Sequence, residues 1–95
     1  MWARVTTIHM PPDRLEESIR MVDDRVIPPL EGMAGYAGGY WMADRASGKA
    51  VTVAFWETED ALRATDTAVS RLREMAASID GTVESVEVFE VTNQA

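Results

Sequence analysis

The sequence predicts an α+β fold of ferredoxin-like type, βαββαβ, with a four-stranded antiparallel sheet and helices on one face. Three observations predict it. Four stretches rich in β-branched and apolar residues, at Trp2–Met10, Gly35–Asp44, Lys49–Trp56 and Thr82–Thr92, have strand character. Apolar residues at helical spacing fill the first and third gaps between them. The middle gap, "DRASGK", is polar, carries Gly48 near its end and leaves room only for a hairpin. That order is a split βαβ unit, with the helices packed together on one side.

"WARVTTIHM" opens the chain as a strand. Its faces read Ala3, Val5, Thr7, His9 and Trp2, Arg4, Thr6, Ile8, Met10. Neither face is cleanly polar, which predicts cover on both sides. "PPD" stops the strand, and Asp13 followed by Glu16 has the spacing of a capping box with Asp as the cap. Leu15, Ile19, Val22 and Val26 then recur at helical spacing, with Arg14, Glu17, Arg20 and Asp24 opposite. Pro28 and Pro29 are expected to end this helix, because proline has no amide donor and disfavours the α region at Ile27.

Gly32 and Gly35 turn the chain into the second strand, where Gly38 and Gly39 mark a bulge or a close approach. Strand three separates Val51, Val53, Phe55 from Ala50, Thr52, Ala54, Trp56. Thr58 is a natural N-cap, with Glu59 and Asp60 in the positive first turn that follows. Leu62, Thr65, Val69, Leu72, Ala76 and Ile79 hold helical register, and "ATDT" offers Asp66 as the cap of a second helix from Thr67. Gly81 closes the helical region. The last strand places Val83, Ser85, Glu87, Phe89, Val91 on one face and Glu84, Val86, Val88, Glu90 on the other.

Ninety-five residues suit one domain, 1–95, burying about 60–65% of its unfolded surface. Without cysteine there is no disulfide, thiol catalysis or Cys-ligated metal, and His9 alone makes no multi-His site. A net charge of −7 argues against nucleic acid as a partner. No apolar run approaches the ~20 residues of a membrane span and no signal pattern opens the chain, so a cytoplasmic location is expected. Eight of nine basic residues are Arg, which coding composition explains as readily as anion recognition. The first, third and fourth strands carry apolar groups on both faces, more than one helical layer covers. A second copy packed sheet to sheet resolves this, so a homodimer is expected.

With "PLEGMAGYAGGYW" after the first helix and "AFWETEDAL" entering the second, the whole chain resembles the dimeric α+β barrel superfamily, in its antibiotic-biosynthesis-monooxygenase-like branch. The resemblance implies two facing sheets in a barrel-like dimer, with a pocket between sheet and helices in each subunit. It also implies a range of activities: cofactor-free oxidation of aromatic polyketides, haem degradation, isomerisation and dechlorination. Haem-degrading relatives use a His, an Asn and a Trp where this chain has residues near Glu74, Thr6 and Thr65, which argues against haem breakdown.

Candidate site residues follow from side-chain chemistry. His9 is the one side chain that ordinarily titrates near neutrality, hence the candidate general acid/base, or else a histidine bonded to backbone at a strand end. Trp56 either stacks on a planar ligand and donates its indole N–H, or plugs the strand–helix corner. Tyr36, Tyr40 and Trp41 either wall a pocket for an aromatic substrate or serve a dimer core; strict alternation puts Tyr36 and Tyr40 on one face and Trp41 on the other. Arg71 and Arg73 read as a solvated helix face, and five methionines (Met10, Met21, Met33, Met42, Met75) as a soft filling.

Two functions remain open from sequence. The first is a small monooxygenase without cofactor or metal, acting on an activated aromatic or polyketide-like substrate. The alternative is a non-catalytic dimeric module that binds a small hydrophobic ligand or serves as an assembly partner.

Overall fold

The computed structural model describes residues 1–95. The chain runs through β1 (Trp2–His9), a 3-10 turn (Pro12–Arg14), α1 (Leu15–Met21), a π-helical turn (Val22–Val26) and α2 (Ile27–Glu31). It continues through β2 (Tyr36–Ala43), β3 (Lys49–Trp56), α3 (Glu59–Arg63), α4 (Ala68–Ala77) and β4 (Thr82–Glu90). The strands pair antiparallel in the order β2-β3-β1-β4. This is the expected ferredoxin-like sheet. The core lies between it and the helices, where Ile8 and Met10 of the first strand region meet Ala76, Ile79 and Val83.

The first helical region departs from expectation twice. Asp13 makes no capping bond; the chain enters through a 3-10 turn after Pro11. Nor do Pro28 and Pro29 end the helix, which continues to Glu31. The π turn explains this. The Ile27 N–H bonds to the Val22 carbonyl five residues back, so the helix has widened by one residue before the prolines arrive. Pro28 and Pro29 then fall in the first turn of a new segment, where missing N–H groups cost nothing.

The second helical region breaks where "ATDT" suggested, between α3 and α4. Thr58 caps α3 by accepting from the Ala61 N–H at 3.1 Å. Asp66 does not cap α4, because its carboxylate is taken by Arg4 at 2.5 Å. The same guanidinium donates to the Leu62 carbonyl at 3.2 Å, which also accepts from the Thr65 hydroxyl at 2.6 Å. A cation and a hydroxyl thus reinforce a carbonyl that already accepts the Thr65 N–H at 3.0 Å in the tightened turn ending α3.

Two bulges reverse faces that strict alternation assigned. On β4, Thr7 faces Ser85 but Ile8 faces Val83, so Glu84 is skipped and Val83 turns into the core. On β2, Tyr36 faces Trp56 but Gly39 faces Ala54, and Gly38 takes φ +102° at the extra residue. Tyr36 and Trp41 therefore share the helix-covered face, and Tyr40 lies on the open one. The pairing of Tyr36 with Tyr40 is corrected accordingly.

The open sheet face is apolar, as expected. It presents Val5, Val51, Val53 and Phe55, together with Tyr40, Met42 and Phe89 at 66%, 49% and 49% exposure.

The β2–β3 hairpin is fixed by its loop. Asp44 accepts from the Ala46 N–H and the Ser47 hydroxyl, each at 3.0 Å, and these bonds hold its carboxyl below the ordinary range. Gly48 takes φ +80°, and a Cβ there falls 1.7 Å from the Met10 carbonyl oxygen. Gly48→Ala is therefore expected to lower stability by roughly 3 kcal/mol or more, from left-handed strain plus backbone collision. Urea denaturation of the two proteins side by side measures it; a loss below about 1 kcal/mol contradicts this account of the turn.

Candidate functional site

A cavity of about 470 Å³ lies between the helix-covered face of the sheet and the helices, lined by 22 residues of which 17 are hydrophobic. Its size and apolar character suit a small organic molecule. Ile19, Val22, Val26 and Ile27 of the first helical region form one wall, Leu72, Met75 and Ala76 of α4 another, and β2 with Ala50 and Thr52 of β3 the floor. Gly39, Ala43, Ala50 and Thr52 keep parts of the floor low, and the π turn forms part of the wall above it. Trp41 is the ring of that floor. It folds back over Gly39, where an added Cβ comes within 3.2 Å of its ring atoms and 2.7 Å of the Val53 carbonyl.

The polar lining is sparse: Ser18, Thr52, Asp23 and Arg45. Arg45, on the hairpin, forms an ion pair with Glu16 of α1 and straps loop to helix at one end of the cavity. Met10, Met21, Met42 and Met75 also border it, so four of the five methionines read as filling line a space instead, and Met33 lies at the other cleft.

Among the residues singled out by sequence, Trp41 alone sets its ring on the cavity side. Tyr40 borders the cavity, yet its ring lies on the open face, edge-on to Phe55 at 6.5 Å and 85°. His9 is exposed on the open face between Lys49 and Thr82, outside the cavity lining. A β-strand sends alternate side chains to opposite faces, and that separates His9 from any molecule held beneath the helices. Trp56 is 1% exposed at the corner where β3 enters α3, against Tyr36 at 5.3 Å and 64°. It borders a second, more open cleft with Met33, Gly35, Ala61 and Thr65 rather than the cavity.

The Trp56 indole N–H is buried without a partner. Such an orphan costs about 1–3 kcal/mol, whereas burying a ring of 150–250 Å² at about 25 cal/mol/Å² contributes about 4–6 kcal/mol. Packing outweighs the orphan, so the Trp56 ring is stably seated at this corner. Sequence reasoning passed over Thr52, Ser18, Asp23 and Arg45. The run of small residues on one face of β3 was the available sign of space above it.

No family model matches the sequence. The chain is 34% identical over 91 residues to uncharacterised protein Rv2557 of Mycobacterium tuberculosis and 33% identical to uncharacterised protein Rv2558. Those matches take in 96% of this chain but only 41% and 39% of the two proteins, so it spans about two fifths of their length. In three dimensions it is similar to a monooxygenase from the ActVA-Orf6 gene of Streptomyces coelicolor, solved with nanaomycin D. That match has TM-score 0.73 and 20% identity, over 99% of this chain and 88% of the other. It is also similar to the haem degrader MhuD of Mycobacterium tuberculosis, solved with two haems, at TM-score 0.74 and 16% identity over 100% and 99%. A dimeric ferredoxin-like protein from an uncultured marine organism gives TM-score 0.75 at 10% identity, over 100% and 98%.

The chain has the fold of the antibiotic biosynthesis monooxygenases. In this chain the three positions matched to haem degradation do not form a set in the cavity. Thr6 is buried, Thr65 spends its hydroxyl on the Leu62 carbonyl, and Glu74 is exposed; none of them lines it.

The Tyr36–Trp56 corner has a titration signature. Burial first, and the negative charge of Glu31 second, push the Tyr36 phenol above its ordinary 10.0. Folding then favours the protonated form, so this contribution to stability is full below pH 10 and is lost as pH rises beyond it. Absorbance titration at 295 nm is expected to show a phenol ionising late, and Tyr36→Phe to remove that phase. A late phase surviving in Tyr36→Phe contradicts the assignment.

Proposed function

We propose that the chain holds a planar, largely apolar small molecule in the cavity between sheet and helices and acts there as a cofactor-independent monooxygenase on an activated aromatic or polyketide-like substrate. The observation that carries this reading is the cavity itself: about 470 Å³, 17 of 22 lining residues hydrophobic, with the Trp41 ring on its floor. The apolar walls limit the water around a substrate whose own anion is electron-rich. The substrate loses a proton from an activated CH₂ carbon, the carbanion gives an electron to dioxygen, and the radical pair combines to a peroxide. Loss of water leaves a carbonyl, so CH₂ and O₂ become C=O and H₂O.

The reading assigns the proton to Asp23, an exposed residue and the one carboxylate in the lining; His9 faces the other side of the sheet. A monooxygenase of the same fold was solved with nanaomycin D, which supports a planar ligand without identifying the one used here. The alternative, a ligand-binding module without chemistry, requires the same cavity. It is favoured by the small number of polar lining groups.

Oxygen uptake with a hydroxyanthrone substrate tests the two. Trp41→Ala is expected to lower kcat/KM about tenfold, or ~1.4 kcal/mol. His9→Ala is expected to leave the rate unchanged. Binding without oxygen uptake selects the module, and a strong loss in His9→Ala overturns the site assignment.

The same reading includes a homodimer closed over the open sheet face. Exposed Tyr40, Met42 and Phe89 form an apolar surface of the kind that soluble chains cover. Sedimentation at micromolar concentration is expected to give about twice 10.5 kDa, and Phe89→Glu to shift it toward the monomer. A monomeric parent protein refutes the dimer.

A further inference from the structure

The cavity does not stop at the floor of the sheet. Residues 39–43 of β2 all border it, although alternate side chains of a strand point to opposite faces. A space that touches five consecutive strand residues runs along the strand's edge. β2 is the edge of the sheet.

The ladder tells which backbone groups face that edge. The Asp44 N–H donates to the Lys49 carbonyl at 2.8 Å, so 44/49 is a bonded pair. Bonded and non-bonded pairs alternate in an antiparallel ladder. With Ala43 opposite Ala50 and Trp41 opposite Thr52, the groups of Met42 and Tyr40 turn toward β3, and those of Trp41 and Ala43 turn away from it. The β1 side agrees: the Met10 N–H donates to the Gly48 carbonyl at 2.9 Å, which points the backbone of Ala50 toward β1. Neither the Trp41 nor the Ala43 N–H has a partner among the bonds outside the ladder.

Resting on the cavity as the ligand site, we propose that the free amides of Trp41 and Ala43 hold the polar atom of the ligand, which is a planar aromatic carrying a carbonyl oxygen, a ketone or quinone. This accounts for a cavity so poor in polar side chains: the donors belong to the backbone. Successive outward amides on one strand stand about 6.6–6.8 Å apart, so an extended ring system reaches one or both.

Two probes test this on the whole chain: 1,4-naphthoquinone, which accepts hydrogen bonds, and naphthalene, which does not. The absence of cysteine removes thiol addition to the quinone. Both probes are expected to shift the methyl signals of Met21 and Met75 in the cavity. Only the quinone is expected to shift the amide signals of Trp41 and Ala43 and slow their hydrogen exchange. Ala43→Pro deletes an outward donor at an edge position that tolerates proline, and is expected to weaken quinone binding about 3–10-fold while sparing naphthalene.

Methyl shifts without amide shifts overturn the proposal and leave the cavity standing. Amides already protected before any probe is added overturn it too, because another chain then covers the edge. Silence of the methyl signals with both probes removes the cavity reading and this proposal with it. If Ala43→Pro does not fold, the amide measurement on the unaltered chain decides.

Discussion

Because side chains alternate along a strand, one extra residue between Tyr36 and Gly39 reverses the facing of everything that follows it on β2. The reversal sends the Trp41 ring under the helices and the Tyr40 ring out to the open face. With the regular pleat, Tyr40 would occupy the cavity and Trp41 would sit outside. Gly38 permits the bulge by adopting φ +102°, and Gly39 permits its result by leaving room for the indole. The shape of the cavity, and the direction in which the free amides of β2 point, both follow from that register.

The helical wall depends on a comparable irregularity. A continuous α-helix meeting two prolines must kink or stop, since each ring collides with the carbonyl one turn back. The π turn at Val22–Val26 removes the collision by inserting a residue, and α2 continues over the sheet. Val22, Asp23 and Val26 of that same turn border the cavity. Irregular helix and irregular strand thus face each other across the proposed ligand site. π turns and bulges recur where a chain must re-aim side chains, and here they build opposite walls of one space.

The element order, the bounds of β3, the cap at Thr58 and the break near Asp66 were all legible in the sequence. Each rests on local chemistry: alternation, a short polar side chain before an acidic turn, a polar interruption. What escaped were effects of pairing. Val83 and Glu84 look like neighbours in a regular alternation until the strand is laid against β1 and one of them is skipped. Asp66 looks like a cap until Arg4, 62 residues away, claims its carboxylate. Pro28 and Pro29 look like a stop because a single sequence gives no sign of a π turn upstream. For His9 the ordinary titration range is a property of the isolated side chain, legible in the sequence, while its position on the open face is a property of the sheet.

The sheet therefore separates two environments with different tasks. On the open face, large apolar groups are half exposed and packed only against one another, which suits burial by a flat apolar surface. On the helix-covered face, apolar groups enclose a space instead of filling it, with small residues where a tight core would place large ones. Stability alone does not favour such a void, because its lining forgoes the dispersion contacts that closer packing supplies. A small chain without disulfides has little stability to spare, so the partly open apolar space beside Trp41 is the one part of this fold that tight packing does not account for.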